Sequence, residues 1–175
     1  MSSQQTLVLI KPDAVKRCLI GPVLAKLQES KLNLIAARLR NVPLDLAKAH
    51  YAQHEGKDFY AQLLEYITGK LHGSPSTPVM ALVYEGENAI QTIRTLAGNT
   101  NPEKANPDTI RGMFGRITTA GLFENVLHAS ATPMEAEREI KLWFEPSELL
   151  KKTYPTKKNG SGLTWERIPA LSELV

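Results

Sequence analysis

The chain has 175 residues, of which 42% are hydrophobic and 22% charged, and its formal net charge is +3. This length and composition predict one globular domain that buries its core without disulfide bonds. The small net charge does not indicate a polyanionic partner, and the single cysteine, Cys18, excludes an internal disulfide and a cysteine-rich zinc site.

The first residues and the apolar runs bear on targeting. Residues 1–5 contain no basic region leading into an apolar one, which predicts that no secretory signal is present. No apolar run approaches the roughly 20 residues that span a bilayer. We therefore expect a cytoplasmic protein that does not enter a membrane.

Apolar runs and helical patterns alternate along the first half of the chain. A buried strand is predicted over residues 6–10, a helix over 21–30 and a half-exposed strand over 34–42. Pro43 then opens a helix through His50, and a second helix is predicted from 57 to 68.

The second half continues this alternation with longer loops. Strands are predicted over 79–84 and 126–129, helices over 87–97 and 133–144, and loops over 69–78 and 99–108. Thr132-Pro133-Met134-Glu135 has the form of a capping box with proline at the first helical position, which explains where the last helix begins.

The order of these elements predicts an α/β (α+β) fold of ferredoxin-like type, a split β-α-β arrangement with a four-stranded, mainly antiparallel sheet flanked by helices. A Rossmann-like parallel sheet is the alternative, but no Gly-x-Gly-x-x-Gly follows the first strand. Residues 1–150 are predicted to form the domain, and 151–175 to form a C-terminal extension of it that is extended and can wrap a neighbour.

Several residues at the ends of predicted elements suit a phosphate site. The chain contains no Gly-x-x-x-x-Gly-Lys-Ser/Thr loop, so such a site must be built from side chains, and the candidates are Lys11, Arg94, Thr100 and Arg111. His128 ends a short apolar strand and is followed by the small residues Ala129 and Ser130. An accessible histidine beside arginines suits transfer of a phosphoryl group through a covalent histidine.

Six motifs occur in an order that resembles the nucleoside diphosphate kinase family. They are Lys11-Pro12-Asp13-Ala14, His50-Tyr51, Gly98-Asn99-Thr100-Asn101-Pro102, Thr109-Ile110-Arg111-Gly112, Asn125-x-x-His128-Ala129-Ser130 and Glu139-Ile140-x-x-Trp143-Phe144. The resemblance covers residues 6–149, which is nearly the whole chain apart from the C-terminal extension.

The resemblance implies a ping-pong reaction in which His128 takes the terminal phosphate of a nucleoside triphosphate and passes it to a nucleoside diphosphate. Lys11 then corresponds to the lysine that neutralises charge on the transferred phosphate, and Tyr51 to the tyrosine beside the histidine. Glu139 corresponds to the carboxylate that orients the histidine, with help from Ser130.

The same resemblance implies how the nucleotide is held. Arg94, Thr100 and Arg111 match the groups on the phosphates, and Asn125 matches the asparagine on the ribose hydroxyl. The base is expected to stack on Phe59, with Leu63 and Leu122 on its other side. Such a site binds the phosphates and the sugar and makes few specific contacts with the base, which implies that it accepts nucleotides with different bases.

Cofactor and assembly also follow from the resemblance. Mg²⁺ is expected to arrive bound to the nucleotide phosphates, without metal ligands from the protein. The partners are expected to be nucleoside di- and triphosphates and further copies of the chain, in a tetramer or hexamer built from dimers.

The chain departs from the family pattern at several positions. Met113, Ala131 and Gln53 stand where acidic residues are usual, and two of those acids, at 131 and 53, ordinarily help to hold the arginine that corresponds to Arg111. Residues 69–77 and 115–124 are longer than in the compact family pattern. How Arg111 is held, and what the two insertions do, are therefore open at this point.

The sequence also bears on two other classes of function. Ferredoxin-like sheets often bind RNA through aromatic residues on central strands, but the predicted strands 7–10 and 79–83 carry no aromatic pair, so no specific nucleic acid is expected. An inactive scaffold is opposed by the presence of every residue type that the reaction requires. His50, His54 and His72 are assigned to helix surfaces or loops.

Overall fold

The computed structural model describes residues 3–73 and 77–173, so residues 74–76 of the first insertion lie outside the described parts. Within these parts the strands are β1 (Ser3–Ile10), β2 (Asn33–Arg40), β3 (Val79–Glu87), β4 (Arg116–Ile117), β5 (Phe123–Glu124), β6 (Leu127–Ala129), β7 (Thr156–Asn159) and β8 (Gly162–Trp165). The α-helices are α1 (Pro12–Lys16), α2 (Ile20–Gln28), α3 (Leu44–His50), α4 (Tyr60–Ile67), α5 (Ala89–Ala97), α6 (Ile110–Phe114) and α7 (Pro133–Trp143). Short 3₁₀ helices span Ala52–His54, Lys70–His72, Pro102–Lys104, Pro146–Glu148 and Leu171–Glu173.

Four of the strands form the main sheet, in the order β2-β3-β1-β6, and every neighbouring pair is antiparallel. This is the strand order of the ferredoxin-like arrangement, so the predicted fold class is confirmed. The first strand begins at Ser3 and not at Thr6, because Ser3 and Gln5 pair with Glu87 and Glu85 of β3. Polar residues lengthen both strands beyond the apolar runs that predicted them.

Alternation along β1 divides the interior into two cores. Leu7 and Leu9 belong to a core that α3, α4 and α7 cover, whereas Val8 and Ile10 belong to the core under α1, α2, α5 and α6. Both faces of the central strand are therefore buried, which explains its continuous apolar run.

The helix after β6 begins as its sequence predicts. Thr132 Oγ1 accepts a hydrogen bond from the backbone N–H of Glu135 at 3.1 Å, and Pro133 occupies the first turn. The Glu135 carboxylate reaches one residue further back than a capping box requires and accepts from Ala131 N at 2.9 Å. Together these contacts secure the end of α7 that follows the strand carrying His128.

The C-terminal extension differs from the extended tail that was predicted to wrap a neighbour. Strands β7 and β8 form a hairpin, and Trp165 packs into the core under α7 with 8% of its surface exposed. Its indole Nε1 donates to the carbonyl of Phe144 at 2.7 Å. The extension is thus a hairpin and not one extended segment, because burial of one large aromatic residue can hold an otherwise polar sequence. Its contact with a neighbouring copy stays a prediction.

The two insertions also contain local structure. Residues 70–72 form a 3₁₀ helix within the first, and β4 and β5 form a two-stranded hairpin within the second. None of the helices in the described parts of the chain is long and apolar enough to cross a membrane.

Candidate active site

His128 lies at the centre of β6, opposite Leu9 of β1. Its neighbours Leu127 and Ala129 belong to the core under α2 and α5, so strand alternation directs the His128 side chain to the other face, where α3 and α7 lie. The side chain keeps 18% of its surface exposed. It is therefore held by the sheet and still accessible from solvent.

A carboxylate from α7 holds the His128 ring. Nε2 of His128 lies 2.9 Å from Glu139 Oε2, and Ser130 Oγ donates to the same oxygen at 2.6 Å. Burial raises the pKa of Glu139, but the charge and hydrogen bond of His128, with His50 and Ser130, outweigh it and lower that pKa to about 2. The ionised carboxylate fixes the proton on Nε2 and leaves Nδ1 as the nitrogen with a free lone pair.

Two arginines line a cavity of about 210 Å³ beside β6. Arg94, Arg111 and Thr100 contribute side chains to its wall, with Ala129 at its edge. Burial, followed by the charge of Arg94, lowers the pKa of Arg111 to about 10, so its guanidinium group is still charged near neutral pH. A small cavity with two cations suits a phosphate chain.

A second cavity, of about 450 Å³, shares Thr100 with the first. Phe59, Leu63 and Leu122 line it, together with the polar residues Lys11 and Asn125. This larger, mainly apolar space suits a flat ring such as a nucleobase.

Lys11 and Asn125 form a buried pair between the two cavities. Lys11 Nζ donates to Asn125 Oδ1 at 2.7 Å, and Asn125 Nδ2 donates to the carbonyl of Thr100 at 3.0 Å. Burial and the charge of Arg111 lower the pKa of Lys11 to about 7, despite the opposing effect of Asp13. An anion that binds beside Lys11 therefore stabilises the charged form of its ammonium group.

The backbone between Asn125 and His128 is strained. Val126 has a φ of +71°, a left-handed conformation that a β-branched residue rarely adopts. It is held there because Lys11 N donates to its carbonyl at 2.8 Å and its own N–H donates to Asp13 Oδ2 at 3.2 Å. The turn brings the Asn125 and His128 side chains to the same end of the sheet.

Comparisons with known proteins agree with this geometry. The family described as nucleoside diphosphate kinase matches residues 4–149. The chain belongs to the nucleoside diphosphate kinase family. It is 43% identical over 146 residues to such a kinase from Staphylococcus epidermidis, covering 83% of this chain and 91% of the relative. Against the kinase from Staphylococcus aureus it is 42% identical over 152 residues, covering 87% and 95%.

Solved structures of the family resemble the fold. A transition-state mimic of the Borrelia burgdorferi kinase with bound vanadate and ADP superposes with a TM-score of 0.76 at 34% identity, covering 86% of this chain and 92% of that one. The Halobacterium salinarum kinase in complex with CDP gives a TM-score of 0.76 at 37% identity, covering 86% and 93%. The function of the present chain is that of its family, ping-pong transfer of a terminal phosphate from a nucleoside triphosphate to a nucleoside diphosphate.

The structure gathers the residues that the sequence predicted for the kinase site. They lie around the two joined cavities or beside His128, each on a different element or loop: Lys11, Tyr51, Phe59, Arg94, Thr100, Arg111, Asn125, His128 and Glu139. Tyr51 is behind the others, with 5% of its surface exposed and its ring 4.5 Å from that of His50. Burial raises the pKa of its hydroxyl, which therefore stays protonated.

Arg111 of this kinase is held without the acidic neighbours usual in the family. Its guanidinium donates to two backbone carbonyls, those of Gly98 at 2.7 Å and Leu127 at 3.0 Å. Its Nε is buried with no hydrogen-bond partner among the described residues. The carbonyl dipoles orient the Arg111 guanidinium group without neutralising it, so its full positive charge is available to bind a ligand.

His50 is the residue that sequence reasoning placed wrongly. It was assigned to a helix surface, but it is fully buried, with its ring 4.6 Å from that of His128 and Trp143 Nε1 donating to its Nδ1 at 3.3 Å. Burial and the charge of His128 lower its pKa to about 3, so it is neutral. The sequence did contain a signal for this burial: His50 follows Ala47 by three residues, which places both on the same apolar face of α3.

Proposed function

We propose that His128 is the residue that carries the phosphate between the two halves of the reaction. The observation that supports this most strongly is the Glu139 contact, because it occupies Nε2 and leaves the Nδ1 lone pair for attack. Nδ1 bonds to the terminal phosphorus while the bond from that phosphorus to its bridging oxygen breaks, releasing the nucleoside diphosphate. The Nε2 proton stays on the ring, and a second diphosphate reverses the step.

Charge on the moving phosphate is balanced by cations from three elements. Arg94 and Arg111 bind the phosphate oxygens in the smaller cavity, with the Thr100 hydroxyl as an uncharged donor. Lys11 approaches from the junction with the larger cavity, where an anion restores its proton affinity. Positioning and charge compensation are the main requirements of phosphoryl transfer.

The nucleoside occupies the larger cavity in this proposal. Phe59 stacks on one face of the base and Leu122 contacts the other, with Leu63 beside them. Asn125 binds a ribose hydroxyl. Tyr51 packs against His50, whose ring in turn contacts that of the nucleophile His128. Stacking does not discriminate strongly between bases, so several nucleotides are accepted.

Mg²⁺ is proposed as the cofactor, carried by the nucleotide. Within the described parts of the chain, the residues lining the smaller cavity carry no carboxylate, so the protein supplies cations and neutral donors around the phosphates. Mg²⁺ commonly binds through substrate phosphates and retained waters, which suits such a lining. The ion would neutralise charge on the phosphate chain when bound.

An exposed edge of the main sheet supports association between copies of the chain. Strand β2 is at the edge of the sheet, where Leu39 is 59% exposed, and an exposed edge with large apolar side chains favours association between copies. We propose a homo-oligomer, a tetramer or hexamer built from dimers, that works in the cytoplasm. Light scattering during gel filtration measures its size.

Labelling with terminally labelled ATP and Mg²⁺ tests the nucleophile. The parent should acquire acid-labile, base-stable label that leaves when a nucleoside diphosphate is added. His128→Ala should acquire none, whereas His54→Ala, which removes another histidine, should still be labelled. Equal labelling of His128→Ala and the parent would exclude this assignment.

A further inference from the structure

The larger cavity is bounded on one side by the second insertion. Gly121, Leu122 and Phe123 of the β4–β5 hairpin line this space of about 450 Å³ together with Phe59 and Leu63. The position of the hairpin therefore sets the width of the slot into which a base would stack.

The hairpin is too small to hold this position by itself. Its strands pair at only two positions, Arg116 with Glu124 and Ile117 with Phe123, and Thr118 closes the turn through Leu122. Among the described residues, the hydrogen bonds made by 117–123 all remain within the hairpin. An isolated two-stranded ribbon is at best marginally stable, so its base must be anchored to the body of the protein.

The base of the hairpin meets a residue of the first insertion. The Glu124 carboxylate accepts from Arg116 Nε at 2.5 Å, and its other oxygen lies 3.6 Å from His72 Nε2. His72 is 4% exposed, and that Nε2 is buried with no hydrogen-bond partner among the described residues. Burial lowers the pKa of His72, so the contact is one between a polar ring edge and the carboxylate and is too long for a hydrogen bond. Lys16 and Arg17 line the same small cavity.

The same His72 ring also contacts the inner wall of the larger cavity. It packs edge-on against Tyr66, with ring centroids 5.1 Å apart. The Tyr66 hydroxyl donates to Asp13 Oδ1 at 2.6 Å, and Lys11 Nζ lies 5.2 Å from the Tyr66 ring centre. One side chain of the first insertion therefore lies against Glu124 at the base of the hairpin and against Tyr66 in the wall of the cavity.

We propose that His72 is a positioning residue that fixes the β4–β5 hairpin through Glu124 and so sets the affinity of the site for the base of the nucleotide. The sequence had assigned His72 to a loop, without a role. The inference rests on the proposed use of the larger cavity for the nucleoside. It gives both insertions a single purpose, because each supplies one member of the contact.

Kinetics of His72→Phe test this role. Phenylalanine keeps an aromatic edge against Tyr66 but places no ring nitrogen beside Glu124, so the hairpin loses this polar contact with the body. KM for nucleoside diphosphates should rise about three- to tenfold with kcat changed by less than about twofold, a range typical of indirect coupling. KM for ribose 5-diphosphate, which has no base, should not change.

Matched variants separate positioning from a general structural effect. Lys70→Ala removes an exposed side chain from the same 3₁₀ helix and should leave every constant unchanged. His72→Gln, whose amide keeps a polar group beside Glu124, should restore much of the affinity. If His72→Phe does not fold, Glu124→Gln should give the same rise in KM.

The outcomes are distinct from those that test the nucleophile. An unchanged KM for nucleoside diphosphates in His72→Phe, or an equal rise for ribose 5-diphosphate, would overturn the role of His72. Labelling of His72→Phe by saturating ATP should match the parent in either case. If the parent itself takes no label, the proposed use of His128 fails instead.

Discussion

Neutralising the Glu139 carboxylate should slow phosphorylation of His128 without weakening nucleotide binding. Glu139 is 2% exposed, so solvent screens its contact with His128 very little. Glutamine keeps its shape but loses the charge that holds the Nε2 proton and stabilises the ring as it gains a phosphate. Hydrogen bonds to charged groups contribute about 1.5–3 kcal/mol, which corresponds to a fall in kcat of roughly 10- to 150-fold for Glu139→Gln.

Rapid-quench measurement of phosphoenzyme formation is the appropriate assay. KM should stay within about twofold of the parent value, because Glu139 lines neither cavity. Glu137→Gln is the matched control, since Glu137 lies on the same helix and pairs with Lys141, away from His128. A normal rate of labelling in Glu139→Gln, or a loss confined to KM, would refute the proposed orienting role.

Three further predictions concern charge, anchoring and the C-terminal hairpin. With the pKa of Lys11 near 7, its charge is lost as pH rises, so kcat/KM should fall above about pH 7. Lys11→Arg should lack this decline, and pH profiles that fall alike would contradict the assignment. In Arg111→Lys, a single ammonium group cannot donate to both carbonyls as the guanidinium does, so kcat/KM should fall by about 10- to 100-fold in steady-state assays. A loss below about twofold would exclude Arg111 from the site. Trp165→Ala should reduce the free energy of unfolding in urea by about 3–5 kcal/mol with kcat/KM nearly unchanged, and a stability equal to that of Ile168→Ala would show that the hairpin is not anchored by its tryptophan.

The fold was largely predictable because its strands are apolar and its helices amphipathic. The buried run ending at Ile10 and the cap at Thr132 located two elements close to where the structure has them. Strand ends were less predictable, since Ser3 and Glu87 extend β1 and β3 through pairing and not through hydrophobicity. The β7–β8 hairpin was missed because its short polar strands carry no strong periodic signal.

The candidate site was predictable as a set of residues but not as an arrangement. The ordered motifs around Lys11, Arg111 and His128 indicated the family, and the comparisons confirmed it. They did not indicate that backbone carbonyls hold Arg111 in place of acidic side chains. A carbonyl is present at every residue, so its use as an anchor leaves no mark in the sequence.

The sequence by itself determined the fold class, the family and the kind of chemistry, because hydrophobic periodicity and ordered motifs are local properties of the chain. Only the tertiary structure decided which side chains become buried and which distant segments meet. His50 against His128, and His72 against Glu124, are contacts between residues far apart in sequence. Burial lowers the pKa of both His50 and His72, and this desolvation arises only when the chain closes around them.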